Sequence, residues 1–114
     1  MTTQVKRKFK QSKEYQEIIE MLEPHMNQEA VFKSYVDWIL DYELDLGAIV
    51  FKIAVCYDMP NVIDKMSIDW LINDVDDNVR YMDVRLCTKT LDKNREATYN
   101  TEKRIEFKGL EDEQ

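Results

Sequence analysis

Apolar residues recur along this chain at two periods, first near 3.6 and later at 2. Over 13–23, Tyr15, Ile18, Ile19 and Leu22 lie at helical spacing, Ser12 is placed to cap the N-terminus, and Pro24 ends the segment. Asn27 opens a second helix predicted over about 28–43, where Val31, Tyr35, Trp38 and Tyr42 form a stripe widened by Phe32, Val36, Ile39 and Leu40. Asp45 caps a third over about 46–57, apolar nearly all round with Lys52 as its one charge, which suits the centre of a bundle. Pro60 starts a fourth that runs to about Asn73, with Ile63, Met66 and Trp70 facing inward. The period then drops to 2. In 79–91 and 97–107 apolar and polar residues alternate, and the five residues Asp92–Glu96 join the two runs as a β-hairpin.

The pattern therefore predicts an α+β chain: a four-helix N-terminal body over 13–73, then a C-terminal β-hairpin over 79–108, in a winged-helix-like order. Residues 1–12 are expected to be a mobile basic arm. At 114 residues the chain has room for one hydrophobic core, so 1–114 is one domain. Two Gly and two Pro are few, in keeping with regular elements over loops. No apolar run is long enough to span a bilayer, and no hydrophobic segment follows the basic start as in a secretory signal. Cys56 and Cys87 sit inside apolar runs and are expected as reduced thiols of a cytoplasmic protein, with nothing in the sequence asking for a disulfide.

Charge changes the picture more than composition does. Residues 1–13 carry five bases and no acid, whereas 14–85 carry sixteen acids against five bases. The 86–110 segment is mildly basic, and Glu111-Asp112-Glu113 closes the chain. Opposed potentials of this kind favour meeting a macromolecular partner over processing a small molecule.

Catalytic chemistry is hard to assemble from these residues. His25 stands alone beside Met26, without the partner a general base or metal site requires. Asp74-x-Asp76-x-Asn78 imitates half a calcium loop, yet Val79 replaces the glycine of the turn and Arg85 the closing glutamate, so it is expected to stop a helix. Gly47 and Gly109 are isolated and form no phosphate cradle. A non-enzymatic protein without cofactor or metal is the expectation.

Aromatic residues point instead to recognition. Tyr35, Trp38, Ile39 and Tyr42 share the helix-two stripe, and Asp37 and Asp41 lie beside them, giving an acidic surface with aromatic anchors for a partner protein. The alternative is nucleic acid: Lys6, Arg7, Lys8 and Lys10 of the arm, with Lys93 and Arg95 of the hairpin loop, would contact phosphates. Insertion of helix four into a groove is disfavoured by Asp64, Asp69, Asp74, Asp76 and Asp77. A virion assembly protein is a third class.

The string SYVDWILDY at 34–42 resembles the Ser-Tyr-Ile-Asp-Ala-Ile-Leu-x-Tyr segment of the late-transcription co-activators of T-even-type phages. LDLGAIVFKI at 44–53 is similar to that family's entry into its next helix, and NVIDKMSIDWLIND at 61–74 follows its pattern. Trp38 stands where the family prefers Ala, and GLEDEQ has no likeness to the family's clamp-binding tail. The resemblance implies a phage-encoded adaptor that binds the host RNA polymerase through Tyr35, Trp38, Ile39 and Tyr42 in the host cytoplasm.

Overall fold

The computed structural model describes residues 3–56, 62–75 and 79–113. Its centre is one six-stranded antiparallel sheet, not a helical bundle. Strands β2 (Glu29–Val36), β3 (Ile39–Asp45), β4 (Ile49–Cys56), β5 (Lys65–Ser67), β6 (Tyr81–Leu91) and β7 (Ala97–Lys108) stand in the order β5-β2-β3-β4-β6-β7. A separate pair, β1 (Thr3–Lys6) with β8 (Leu110–Glu113), runs antiparallel with Thr3 opposite Glu113.

One helix longer than a turn or two is present among the described residues, α1 (Lys13–Leu22), where the sequence places it. The Ser12 hydroxyl accepts the Tyr15 amide at 3.1 Å, so the cap is made as expected. Its stripe of Tyr15, Ile18 and Leu22 is buried against one face of the sheet, and the Tyr15 hydroxyl donates to the Ile72 carbonyl at 2.6 Å. Phe9 is fully buried too, its ring edge-on to Tyr15 at 5.0 Å and to Phe107 at 4.9 Å. The N-terminal segment expected as an arm thus contributes a strand and a core residue.

The four-helix body is corrected by this architecture. Residues expected as helix two form β2 and β3, and those expected as helix three form β4. Of the fourth, residues 60–61 lie outside the described set; the rest gives β5 and a π-helical turn at Trp70–Asp74. The winged-helix order falls with it, since the β6–β7 hairpin supplies two of the six strands of the main sheet and is not a wing on helices. The physical reason lies in residue type. The segments 29–36 and 49–56 are rich in β-branched and aromatic residues, which lose rotamer freedom in a helix and pack well on a pleated surface. In 39–45, Leu40, Tyr42 and Leu44 point into the core while Asp41, Glu43 and Asp45 point away, a period of 2 that a helix would scramble.

Register fixes what each face carries. Leu40, Val55 and Met82 line up across three strands, as do Tyr42, Ile53 and Val84, and Leu44, Phe51 and Leu86. These rows, with Ile105 and Phe107 of β7, form the core under α1. The opposite face bears two polar rows. Ser34, Asp41, Ala54, Asp83 and Glu106 make one, and Glu43, Lys52, Arg85 and Arg104 the next. No helix of the described residues is long and apolar enough to cross a membrane.

Candidate functional site

The two-residue turn between β2 and β3 is made by Asp37 at φ 53° and Trp38 at φ 68°. Tight hairpins need both central residues in the left-handed region, which is why Asn-Gly and Asp-Gly dominate there. Asp tolerates that conformation; a tryptophan resists it, at a cost of about 1–2 kcal/mol. Trp38 is nonetheless 78 % exposed, so burial does not compensate the strain. Tyr35 at 47 % and Val36 at 60 % exposure flank it, and the Tyr35 and Trp38 rings meet edge-to-face with centroids 6.3 Å apart. Ile39, half-buried, pairs with Val36 across the hairpin.

Five consecutive residues, Tyr35 to Ile39, thus gather at one protruding tip. The sequence pattern puts Tyr35, Trp38 and Ile39 on one helix stripe with Asp37 beside it; the hairpin brings them together by a different geometry. Tyr42 is corrected. It is 2 % exposed, packs edge-on to Phe32 at 5.7 Å and donates its hydroxyl to the Ile63 carbonyl at 3.1 Å, so it is a core residue and no contact surface. Burial, and after it the charge of Asp64, raises its phenol above the ordinary value, against the opposing Ile63 hydrogen bond. Asp41 also leaves the set: it lies on the polar sheet face, where its Oδ2 accepts the Ser34 hydroxyl at 2.7 Å.

The basic residues proposed for nucleic acid are dispersed over three elements. Lys6 lies in β1 opposite Leu110. Arg7 pairs with Glu14 at 2.7 Å and lies 5.1 Å from the Phe107 ring centre, and Lys10 donates to the Asn73 carbonyl at 2.9 Å. Lys8 is exposed beside them, while Lys93 and Arg95 occupy the exposed β6–β7 loop. That loop is shaped by the Asp92 carboxylate, whose Oδ1 accepts the Asn94 and Glu96 amides, with Arg95 at φ 63°. Of the acidic cluster at 74–78, residues 76–78 lie outside the described set. Among the described residues no three acids, histidines or cysteines gather closely enough to hold a metal ion.

The polar face of the sheet carries a second constellation that the sequence reading missed. Asp83, the third residue of β6, is only 3 % exposed. Its Oδ2 takes Arg104 Nε at 2.9 Å and Nη2 at 2.6 Å, Arg85 Nη2 at 3.4 Å and the Tyr81 hydroxyl at 3.2 Å. Tyr81 also donates to Glu106 Oε2 at 2.9 Å. Burial, the Glu106 acceptor and the nearby carboxylate charges push the Tyr81 phenol up to about 12. Asp83 Oδ1, by contrast, is buried without any hydrogen-bond partner. A hollow of about 320 Å³ opens beside this network, with Asp41, Ala54, Asp83, Lys52 and Arg85 among its lining. The clue in the sequence was Asp83-Val84-Arg85: an acid and a base two apart on the outward side of an alternating strand.

Comparison with family models, with curated proteins and with solved structures returned no match.

Proposed function

We propose that this chain is a small non-enzymatic adaptor that docks onto a partner protein through the tip of its β2–β3 hairpin. The observation that carries the proposal is Trp38, held in a costly backbone conformation with its indole in solvent. Strain retained without a folding benefit marks positions kept for another purpose. Exposed Trp and Tyr anchors supply much of the energy of protein interfaces, and here they stand together with Val36 and Ile39 on a projecting turn.

The partner to test first is bacterial RNA polymerase, in the cytoplasm of a phage host. Two observations favour it: the likeness of 34–42 to phage co-activators, and the acidic character of a chain with sixteen acids in 14–85, which suits a basic surface. Purified core polymerase is titrated against the full chain by biolayer interferometry, with Trp38→Gly as the control that keeps the turn. Saturable binding that Trp38→Gly weakens by about tenfold or more is expected, in the range of an interface anchor. No binding to polymerase removes that partner. Binding indifferent to Trp38→Gly removes the tip as the docking point, and a gel shift lost on Lys93→Glu with Arg95→Glu would assign the contact to nucleic acid.

A further inference from the structure

Strand β7 ends the main sheet, with β6 as its one neighbour among the described residues. Which of its backbone groups are left over follows from the hairpin. The Asp92 amide donates to the Glu96 carbonyl at 3.1 Å, and antiparallel pairs alternate between hydrogen-bonded and non-bonded. Leu91–Ala97, Lys89–Tyr99 and Cys87–Thr101 are therefore the non-bonded pairs. The Lys89 amide agrees, since it turns the other way, to the Ala48 carbonyl at 2.8 Å. Ala97, Tyr99 and Thr101 thus direct their N–H and C=O groups outward, away from β6.

Sheet edges are ordinarily blunted by charge, proline or a bulge. Residues 97–101 carry no charge and no proline. The bulge of β7 comes after them at Glu102, which has no partner of its own between the Leu86–Lys103 and Cys87–Thr101 pairs. The open stretch is therefore flat, neutral and bounded on both sides by charge.

Those bounding charges name the strand that fits. A second copy of the chain, added antiparallel about a two-fold axis, must set one residue opposite itself. Tyr99 at the axis puts Glu96 against Glu102 of the other copy, and Thr101 puts Glu96 against Glu106. Glu102 or Lys103 at the axis meets its own like charge, and Thr98 runs the pairing into the 92–96 loop. Asn100 at the axis opposes no like charges: Tyr99 faces Thr101, Thr98 faces Glu102 and Glu96 faces Arg104. A side-chain amide is both donor and acceptor, so two Asn100 side chains can bond each other reciprocally.

We propose that this edge pairs with the same edge of a second copy of the chain, centred on Asn100, joining two six-stranded sheets into one. The backbone bonds run between Tyr99 of each copy and Thr101 of the other. Glu102, Lys103 and Arg104 deter strands in any other register. So short a pairing falls below the ~1,200 Å² of a stable interface, so the dimer is a transient one that forms with rising concentration. The hairpin tip lies on the far side of the sheet and takes no part.

Sedimentation velocity on the full chain from about 10 µM to about 1 mM is expected to show a reversible monomer–dimer equilibrium, with hydrogen exchange at Tyr99 and Thr101 slowing as concentration rises. Asn100→Lys and Asn100→Glu each set a charge against itself at the axis. Each is expected to weaken association about tenfold or more, and an equimolar mixture of the two to regain it. A dispersed amide spectrum establishes that each variant is folded; if one is not, the other decides alone. A chain that stays monomeric throughout the series overturns the proposal. So does association that survives in the folded charged variants, that their mixture fails to regain, or that Trp38→Gly abolishes instead, which would put the second copy at the hairpin tip.

Discussion

Arg104 grips a single oxygen of Asp83 with two nitrogens, Nε at 2.9 Å and Nη2 at 2.6 Å, and with the second of these also reaches Glu106 at 3.0 Å. A carboxylate that is 3 % exposed depends on such donors, because water cannot replace them. Arg104→Met keeps the stem and removes the fork. It is expected to cost about 1–3 kcal/mol, the penalty of a buried group left short of partners, seen as a lower urea midpoint at unchanged slope. Arg85, 44 % exposed and 3.4 Å from the same oxygen, should matter less: Arg85→Met costs under about 1 kcal/mol.

Tyr81 gives this network a signature in alkaline solution. Its phenol is raised from 10.0 to about 12, mainly by burial and then by its bond to Glu106. The unfolded chain releases this proton first, so the protonated folded state is favoured fully below pH 10 and loses that advantage as pH climbs from 10 toward about 12. Tyrosinate absorbance should show late titration from Tyr15, Tyr42 and Tyr81, all raised by burial, and Tyr81→Phe should remove one tyrosine's share of it. The variant's stability should also decline less steeply over the same interval.

The turn at Asp37-Trp38 separates backbone strain from side-chain contact. Glycine relieves the left-handed strain at 38, while the lost ring contact with Tyr35 and the flexibility of an unfolded glycine work against it. Trp38→Gly is therefore expected to keep stability within about 1 kcal/mol of the wild type. Trp38→Ala keeps the Cβ and with it the strain, so it should be less stable than Trp38→Gly by about 1 kcal/mol in thermal unfolding. Equal stability of the two variants would mean that position 38 is not strained.

Local signals in the sequence reported faithfully where one period dominated. Ser12, Tyr15, Ile18 and Leu22 specify α1 because no competing pattern exists there, and the alternation of 79–91 and 97–107 gives β6, β7 and the five-residue loop between them. The segment 29–56 misled because Val31, Tyr35, Trp38 and Tyr42 fall at helical spacing by chance, while Leu40, Tyr42 and Leu44 satisfy a period of 2 as well. Without glycine at the turn, Asp37-Trp38 hides the hairpin, since nothing in that dipeptide advertises positive φ. Long-range pairing decided the matter: β4 finds β6 some thirty residues on, and a central strand buried on one face and screened on the other resembles a buried helix in composition. The tip residues were legible because residues three apart meet in a two-residue hairpin as they do on a helix. For Asp83 the sequence offered only the nearby Arg85, because its shortest-range donor, Arg104, comes from β7.

Gly109 seals the junction between β7 and β8 by close approach. Its amide donates to the Arg80 carbonyl at 2.8 Å, its own carbonyl accepts the Arg7 amide at 2.8 Å, and an added Cβ would lie 2.8 Å from that Arg80 oxygen. Backbone cannot swing aside as a side chain does. Gly109→Ala should cost about 1–3 kcal/mol and speed amide exchange at Arg7 and Gly109, measured by hydrogen exchange.

Strand β7 borders the main sheet, and residues 97–104 on it are all exposed. Such a border is a template on which another extended chain can crystallise its hydrogen bonds, the usual seed of fibrils. Thr98, Tyr99, Asn100 and Thr101 offer no charge to deter this, whereas Glu102, Lys103 and Arg104 immediately after them do. Glu102, Lys103 and Arg104 are thus the charges on β7 that stand beside this uncharged stretch and discourage another strand from adding to the edge.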